Sequence, residues 1–369
     1  MRLLQKECGK CLRHPFLWIV CIAFGLFQFL SIYTYVGNAG MRKELRQMHM
    51  AVTDEETASP EYESAYADYK KTYGGMYDTL DMRKILEQKE KKSGYEPQGV
   101  WGSWIVRNYD RLQKRVEQIR KTGEGTYDFY PGSWYKLHST LYGKLWKNLI
   151  LQTAVLMILS MLYLMDYERI YKTQDLVLAT TTGKKMMEKK MLAGTLCGLF
   201  YAGLLTVFTL LVFFAAVPFQ NLWHVPVAAC MVAEPRLQMM YPFVTFWRLE
   251  QWRYLLLALV VLVGLLGIVA AVTAAVQLFL QNSYFSFAVL SLLFMGAYLL
   301  AYVQMGNVWD LIRELFNPTV LYATSGGWFM ENDLCLSFAG NEFAVLFCSG
   351  TAAVCLMAVE KRRYHRLEV

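Results

Sequence analysis

Residues 175–194 read DLVLATTTGKKMMEKKMLAG, with three threonines in a row, a glycine and four lysines set between two apolar stretches. Two kinds of chemistry use such residues. A phosphate-cradling loop needs the order G-x-x-x-x-G-K-[ST], in which backbone N–H groups surround the phosphates and a hydroxyl after the lysine reaches magnesium. Here Gly183-Lys184 is followed by Lys185, and Leu178 stands where the first glycine belongs, so the pattern fails at both ends. The other use is a docking surface. Leu176 and Leu178 would seat in a groove of another protein, and the threonines up to Thr182, with Gly183, would end the short helix carrying them. Lys184, Lys185, Lys189 and Lys190 would face acidic residues of that protein or anionic lipid headgroups. A plain basic loop beside a membrane explains the lysines but not LVLATTTG.

Other reactive residue types are sparse. Cys8 and Cys11 form a CxxC, but a structural zinc needs four ligands and no second pair or histidine cluster accompanies it, so the two cysteines read as members of an apolar helix face. His14, His49, His138, His224 and His365 are scattered, with no HExxH, and the chain has no GxSxG elbow. A disulfide between Cys230 and Cys335 is compatible with their placement on one side of the membrane in the arrangement below.

The elements that must position these residues are set by composition. Of 369 residues, 55% are hydrophobic and 18% charged, which fits a membrane protein and not a soluble one of this size. Six apolar runs are long enough to cross a hydrocarbon core of about 30 Å at about 1.5 Å per residue: 15–36, 148–165, 191–217, 254–280, 285–303 and 343–359. None contains a charged residue. The expected fold is therefore all-α with six transmembrane helices. The polar residues within the runs, among them Gln28 and Gln277, are amides and hydroxyls, and ion-driven transporters usually need ionisable groups at that depth. Gly264, Gly267, Ala271, Ala274 and Ala275 form a candidate seam for close helix packing.

Residues 1–14 read as an amphipathic helix in the membrane interface. Arg2, Lys6, Lys10 and Arg13 share one side, Leu3, Leu4, Cys8, Cys11 and Leu12 the other, and Pro15 turns the chain into the first span. The basic residues near the amino terminus, in 166–190 and in the tail at 360–369 favour cytoplasmic ends, N-in and C-in. Nineteen basic residues lie on the opposite side between 37 and 147, but sixteen acidic ones accompany them, which marks a folded domain beyond the reach of the positive-inside rule. That domain reads as helical. Tyr62, Tyr66, Tyr69 and Tyr73 form a stripe, a segment with Tyr77, Leu80, Ile85 and Leu86 follows, and Trp101, Trp104, Ile105, Leu112, Val116 and Ile119 share a third helix face. Trp134, Leu137, Leu141 and Leu145 predict a helix running unbroken into the second span. The remaining segments are loops at 218–253 and at 304–342, the latter extracytoplasmic or re-entrant.

The segment DYERIYKTQDLVLATTTGKKMMEKKMLAG resembles the cytoplasmic loop of ABC-2 type permeases, the membrane subunits of ABC exporters. In members with an extracytoplasmic insertion, an acidic residue after the second span is followed by a short helix, a small-polar turn ending in Gly and a basic residue, and a lysine just before the third span. Glu168, the segment 175–178, Thr180-Thr181-Thr182-Gly183-Lys184 and Lys190 match those places. Family members often have Glu followed soon by Gly here, whereas this chain reads YERIYKTQD. The interfacial amino-terminal helix, the insertion between spans one and two, the turn at 281–284 and the loop with Pro318 extend the likeness over nearly the whole chain. The resemblance implies a coupling helix in 166–190 docked on a separate ABC ATPase subunit, which holds the ATP and magnesium; this chain itself binds no cofactor and catalyses nothing. It also implies a homodimer or a heterodimer with a related permease, in contact with membrane lipids and not with nucleic acid, in the cell membrane. The cargo would be hydrophobic or amphipathic, a lipid, drug or peptide. The rival reading is a membrane-anchored sensor or scaffold whose outer domain binds a ligand or partner without transport.

Overall fold

The computed structural model describes residues 2–38, 41–42, 64, 67–68, 71, 75–93, 99–125, 137–173, 183–217, 219, 222–231, 242–303, 308–331 and 338–367. Helix α1 (Arg2–Leu12) precedes α2 (Pro15–Val36), which Pro15 can begin because a first-turn residue donates no intrahelical bond, so proline's missing N–H costs nothing there. Helices α3 (Met82–Ser93) and α4 (Gly99–Thr122) follow. A π-helical stretch, Ser139–Leu145, then runs without a break into α5 (Trp146–Met165), and the Trp146 N–H bonds the Leu141 carbonyl five residues back. The remaining helices are α6 (Tyr167–Ile170), α7 (Gly183–Ala216), α8 (Val227–Met231), α9 (Gln251–Leu280), α10 (Ser283–Ala301), α11 (Val308–Leu315), α12 (Thr319–Ala323) and α13 (Asn341–Leu367). Among the described residues no strand forms; two isolated bridges join Pro226 to Glu250 and Thr245 to Met330.

Among the described residues, six helical stretches are long and apolar enough to cross a membrane: 15–36, 139–165, 186–216, 251–280, 283–301 and 341–364. The chain is thus built as an all-helical multi-pass membrane protein. Several helices outrun the apolar runs that announce them. Helix α7 begins at Gly183, about two turns before Met191, and α13 continues past Val359 to Leu367. Hydropathy marks the hydrocarbon layer, whereas backbone hydrogen bonding carries a helix on into the polar region, where charged side chains are solvated.

The connecting segments gather at two ends of the bundle. At one end, the Ser283 hydroxyl donates to Asp166 (2.9 Å), and Lys361 pairs with Glu188 at 2.7 Å, so the start of α10 meets the end of α5 and the last turns of α13 meet the first turns of α7. Gln281 closes α9 in the left-handed region (φ 51°), and the Asn282 side chain accepts from the N–H groups of Tyr284 and Phe285 to start α10. At the other end, α3 and α4 pair as a helical cap. Met82, Ile85, Leu112, Val116 and Ile119 form its core with Tyr77, Ala228 and Val244. The Tyr77 hydroxyl donates to the carbonyls of Ala228 (3.2 Å) and Phe243 (3.0 Å), and Arg115 donates to the Thr245 carbonyl while pairing with Glu124 at 2.5 Å. Lys89 pairs with the fully buried Glu331 at 2.5 Å. The tyrosine stripe at 62–73 lies outside the described side chains.

Beneath the cap, His138, Tyr142, Tyr254 and Phe329 pack ring to ring, with centroids 4.6–5.8 Å apart. The segment holding α11 and α12 turns back into the bundle: Asn317 donates to the Ala297 carbonyl of α10 (2.8 Å), and Ser349 of α13 donates to the Leu315 carbonyl (2.9 Å).

The stretch 139–165 is the hub, with 67% of the residues in its apolar window buried, against 17% for α10, which turns most of its side chains outward. Close packing between α5 and α7 centres on Gly194 and Gly198. A Cβ on either would lie 3.1 Å from the Cα of Met161 or Met157, and 2.7 or 2.4 Å from the sulfur. Lipid chains are as apolar as the helices, so small residues that bring two backbones together supply the dispersion contact that holds helices in a membrane. On α9, a Cβ at Gly264 would meet Leu346 of α13 at 2.9 Å, while one at Gly267 would meet nothing within 4 Å. Accordingly, Gly198→Ala should destabilise the protein by about 1–3 kcal/mol through overpacking, while Gly267→Ala stays within about 0.5 kcal/mol, as read by unfolding in detergent micelles.

Candidate functional site

The described part of the 166–190 connection is organised by charge. The α1 helix lies along α7 and α5, its apolar side inward: Cys11 is fully buried, and Leu4, Cys8 and Leu12 pack on the bundle core. The Tyr201 hydroxyl of α7 donates to the Cys11 carbonyl (3.4 Å), and the Cys197 thiol reaches the Cys8 carbonyl (3.8 Å). Burial, aided by Cys197, pushes the Cys8 thiol up to about 11, so at neutral pH it is protonated and behaves as a small apolar side chain. No group of three or more His, Cys, Asp or Glu among the described residues is placed to hold a metal ion.

The polar edge of the same helix supplies Glu7 and Lys10. Glu7 is 1% exposed, and Lys10 bridges it (2.7 Å) to Glu168 on α6 (3.1 Å). The other oxygen of Glu168 contacts Lys190 on α7. Glu168 and Lys190 are themselves 6% and 4% exposed. Two carboxylates and two ammonium groups thus neutralise one another at the junction of α1, α6 and α7. A charge buried without such pairing is strongly destabilising, by about 3–5 kcal/mol when one partner of a pair is removed. The aromatic face of α5 and α6 borders the network, with Lys10 4.4 Å from the centre of the Tyr167 ring.

The sequence-derived residues part company in the structure. Glu168 and Lys190 are brought together, but inside the chain. Lys190 points into the bundle, so its charge is spent on Glu168 and not on an outside acid; its neighbour Lys189, about 100° round the helix, is exposed. Gly183 opens α7, with Lys184 and Lys185 in its first turn. Leu176, Leu178 and Thr182 lie outside the described residues. Deeper in the bundle, Gln28 is fully buried and donates to the Gln152 side chain (2.8 Å) and to the carbonyl of Leu145 at the end of the π-helical stretch (3.4 Å). Gln277 is also buried, and its side-chain oxygen, like the Thr273 hydroxyl one turn away, has no hydrogen-bond partner among the described residues. Cys230 is a buried free thiol held by Gln251 at 3.0 Å, while Cys335 lies outside the described residues.

Sequence reasoning missed Glu7, whose signal was its place three residues before Lys10 on the boundary between the two faces of α1. It also missed Gly194 and Gly198, although GTLCG is a G-x-x-x-G motif inside an apolar run. Comparison of the chain with protein-family models, curated proteins and solved structures finds no match.

The network predicts strong coupling between its members. Glu168→Leu should cost about 3–5 kcal/mol by stranding Lys190, whereas Glu168→Leu with Lys190→Leu should cost less than the single change, because the double variant buries no unpaired charge at that contact. Unfolding of the three proteins in detergent micelles measures this; a double variant as unstable as the sum of its singles would mean the two residues do not interact.

Proposed function

We propose that this chain is the permease subunit of an ABC-2 type exporter, working with a separate ATPase that holds ATP and magnesium, as a dimer with itself or a related permease. In this reading the network end of the bundle faces the cytoplasm, so both termini and residues 166–190 lie inside and the α3–α4 cap lies outside. The observation that carries the proposal is the ion network of Glu7, Lys10, Glu168 and Lys190. It fastens both ends of the 166–190 connection to three helices at once, the interfacial α1, the end of α5 through α6, and α7. A push on the loop between Glu168 and Lys190 is then shared by two spans and cannot be absorbed by a slack connection. That is what a coupling element has to do when the energy source is another polypeptide.

The likeness of the DYERIYKTQDLVLATTTGKKMMEKKMLAG segment to permease loops supports the same assignment, with Leu176 and Leu178 as the docking contacts and Lys184 and Lys185 on the rim. The cargo moves between the permeases of the dimer. Outward-facing spans of apolar side chains suit a hydrophobic or amphipathic molecule, a lipid, drug or peptide, in the cell membrane, while Gln28 and Gln277, buried inside the single chain, serve helix packing and not the walls of that path.

Copurification with a P-loop ATPase, if a neighbouring reading frame encodes one, tests the proposal. The purified chain alone should hydrolyse no ATP. Truncating Leu176 and Leu178 to alanine removes apolar contact worth about 1.5–3 kcal/mol per buried side chain, and should release the ATPase and abolish coupled hydrolysis. Lys184→Ala with Lys185→Ala should do less, since rim ion pairs are worth about 0–1 kcal/mol. A leucine-free loop that keeps full assembly and coupling would overturn the assignment. For orientation, cysteines introduced at Ser93 and Asn307 should react with an impermeant maleimide in intact cells and one at Thr182 should not; the reverse pattern would invert the topology.

A further inference from the structure

Beside the ion network, α1 and the α5–α6 helices line an open pocket of about 740 Å³. Its walls are two ladders. Lys6, Lys10 and Arg13 recur at spacings of four and three along α1 and its end, so they share one face. Opposite them Tyr163, Tyr167 and Tyr171 recur at spacings of four, with successive ring centroids 5.7 and 4.6 Å apart. His14 closes one end, its ring 4.2 Å from that of Tyr163 and its Nδ1 buried with no partner among the described residues.

The lining carries three cations and no carboxylate. Only Lys10 is neutralised from behind, by Glu7 and Glu168. Lys6 and Arg13 are exposed and make no ion pair among the described residues. The pocket therefore presents uncompensated positive charge, phenol hydroxyls and one imidazole nitrogen, a set that complements a phosphate bearing a hydroxylated substituent.

Its position selects the form in which that phosphate arrives. Pro15 lines the pocket and is also the first residue of a membrane-spanning helix, and Phe16, Trp18 and Ile19 next to it are 50%, 37% and 64% exposed. The Trp18 indole N–H bonds the Leu12 carbonyl at 2.7 Å, the amphipathic anchoring expected of tryptophan at a membrane–water boundary. A ligand here has charge on one side and hydrocarbon on the other. We propose that this pocket binds the headgroup of an anionic phospholipid, with Lys6 and Arg13 on the phosphate and the tyrosine ladder on the headgroup hydroxyls, so that one lipid molecule seats α1 against the bundle. This holds whichever side of the membrane the pocket faces, and it does not rest on the permease reading.

The test is binding of defined lipids to the full chain in neutral detergent micelles, followed by native mass spectrometry. Phosphatidylglycerol should be retained in preference to phosphatidylcholine. Lys6→Ala with Arg13→Ala should weaken phosphatidylglycerol binding about 30-fold, each basic side chain near an anionic surface being worth about fivefold. Both side chains are exposed, so the variant should unfold at the same temperature as the parent. The charge-matched control Lys91→Ala with Lys114→Ala, on the cap, should leave binding unchanged. Free glycerol 1-phosphate should not displace the lipid. Equal retention of the two lipids, or equal loss in the control variant, would overturn the proposal. So would displacement by glycerol 1-phosphate, which would make this a site for a soluble phosphate.

Discussion

Glu7, Glu168 and Lys190 are buried, and the part-buried Lys10 bridges the two carboxylates, so the four must come together or not at all. Each is costly to desolvate singly, and each is nearly neutral in effect once the other three surround it. That requirement fixes where the α1 helix lies, how α6 leaves the end of α5, and which face of α7 turns inward at Lys190. Apolar contacts between α1 and the bundle, through Cys11, Leu4 and Leu12, hold the helix close, but such contacts are tolerant of sliding. Charge pairing at about 3 Å is not, and it supplies the register.

Elsewhere the chain obeys the logic of a solvent that cannot hydrogen-bond. Spans are helical because their backbone groups must satisfy one another, and helix pairs that approach closely do so at Gly194 and Gly198, where two backbones come into contact. The π-helical stretch at Ser139–Leu145 is the one place where a described span leaves the α-helical pattern, and a buried amide, Gln28, bonds the carbonyl at its end. At the opposite end of the bundle from the ion network, the α3–α4 cap sits on the loops through Tyr77, Arg115 and Lys89. Its basic residues are partly consumed by such contacts, which is why a raw count of positive charge between 37 and 147 says little about orientation.

Much of this was legible in the sequence. The six spans were visible because uncharged apolar runs of this length have few other uses, and the amphipathic α1 was visible because its cations recur at helical spacing. The cap helices could be read from Leu112, Val116 and Ile119. What sequence could not supply was pairing between distant segments. Nothing local to Glu168 says that its partners are Lys10, 158 residues away, and Lys190. For the same reason Lys190 reads as one more cation in a basic strip, when its direction on α7 separates it from Lys189. The apolar runs mark the spans and not the helix ends, which lie further out at Gly183 and Leu367 because hydropathy stops before hydrogen bonding does.

The central claim is that the ion network holds α1 in place. Amide hydrogen exchange of the intact protein and of Glu168→Gln, compared peptide by peptide, tests it most directly. The account predicts that residues 2–12 and the first turns of α7 lose protection in the variant while the cap helices, 82–93 and 99–122, exchange as before. Unchanged protection in α1, or an equal loss in the cap, would contradict it.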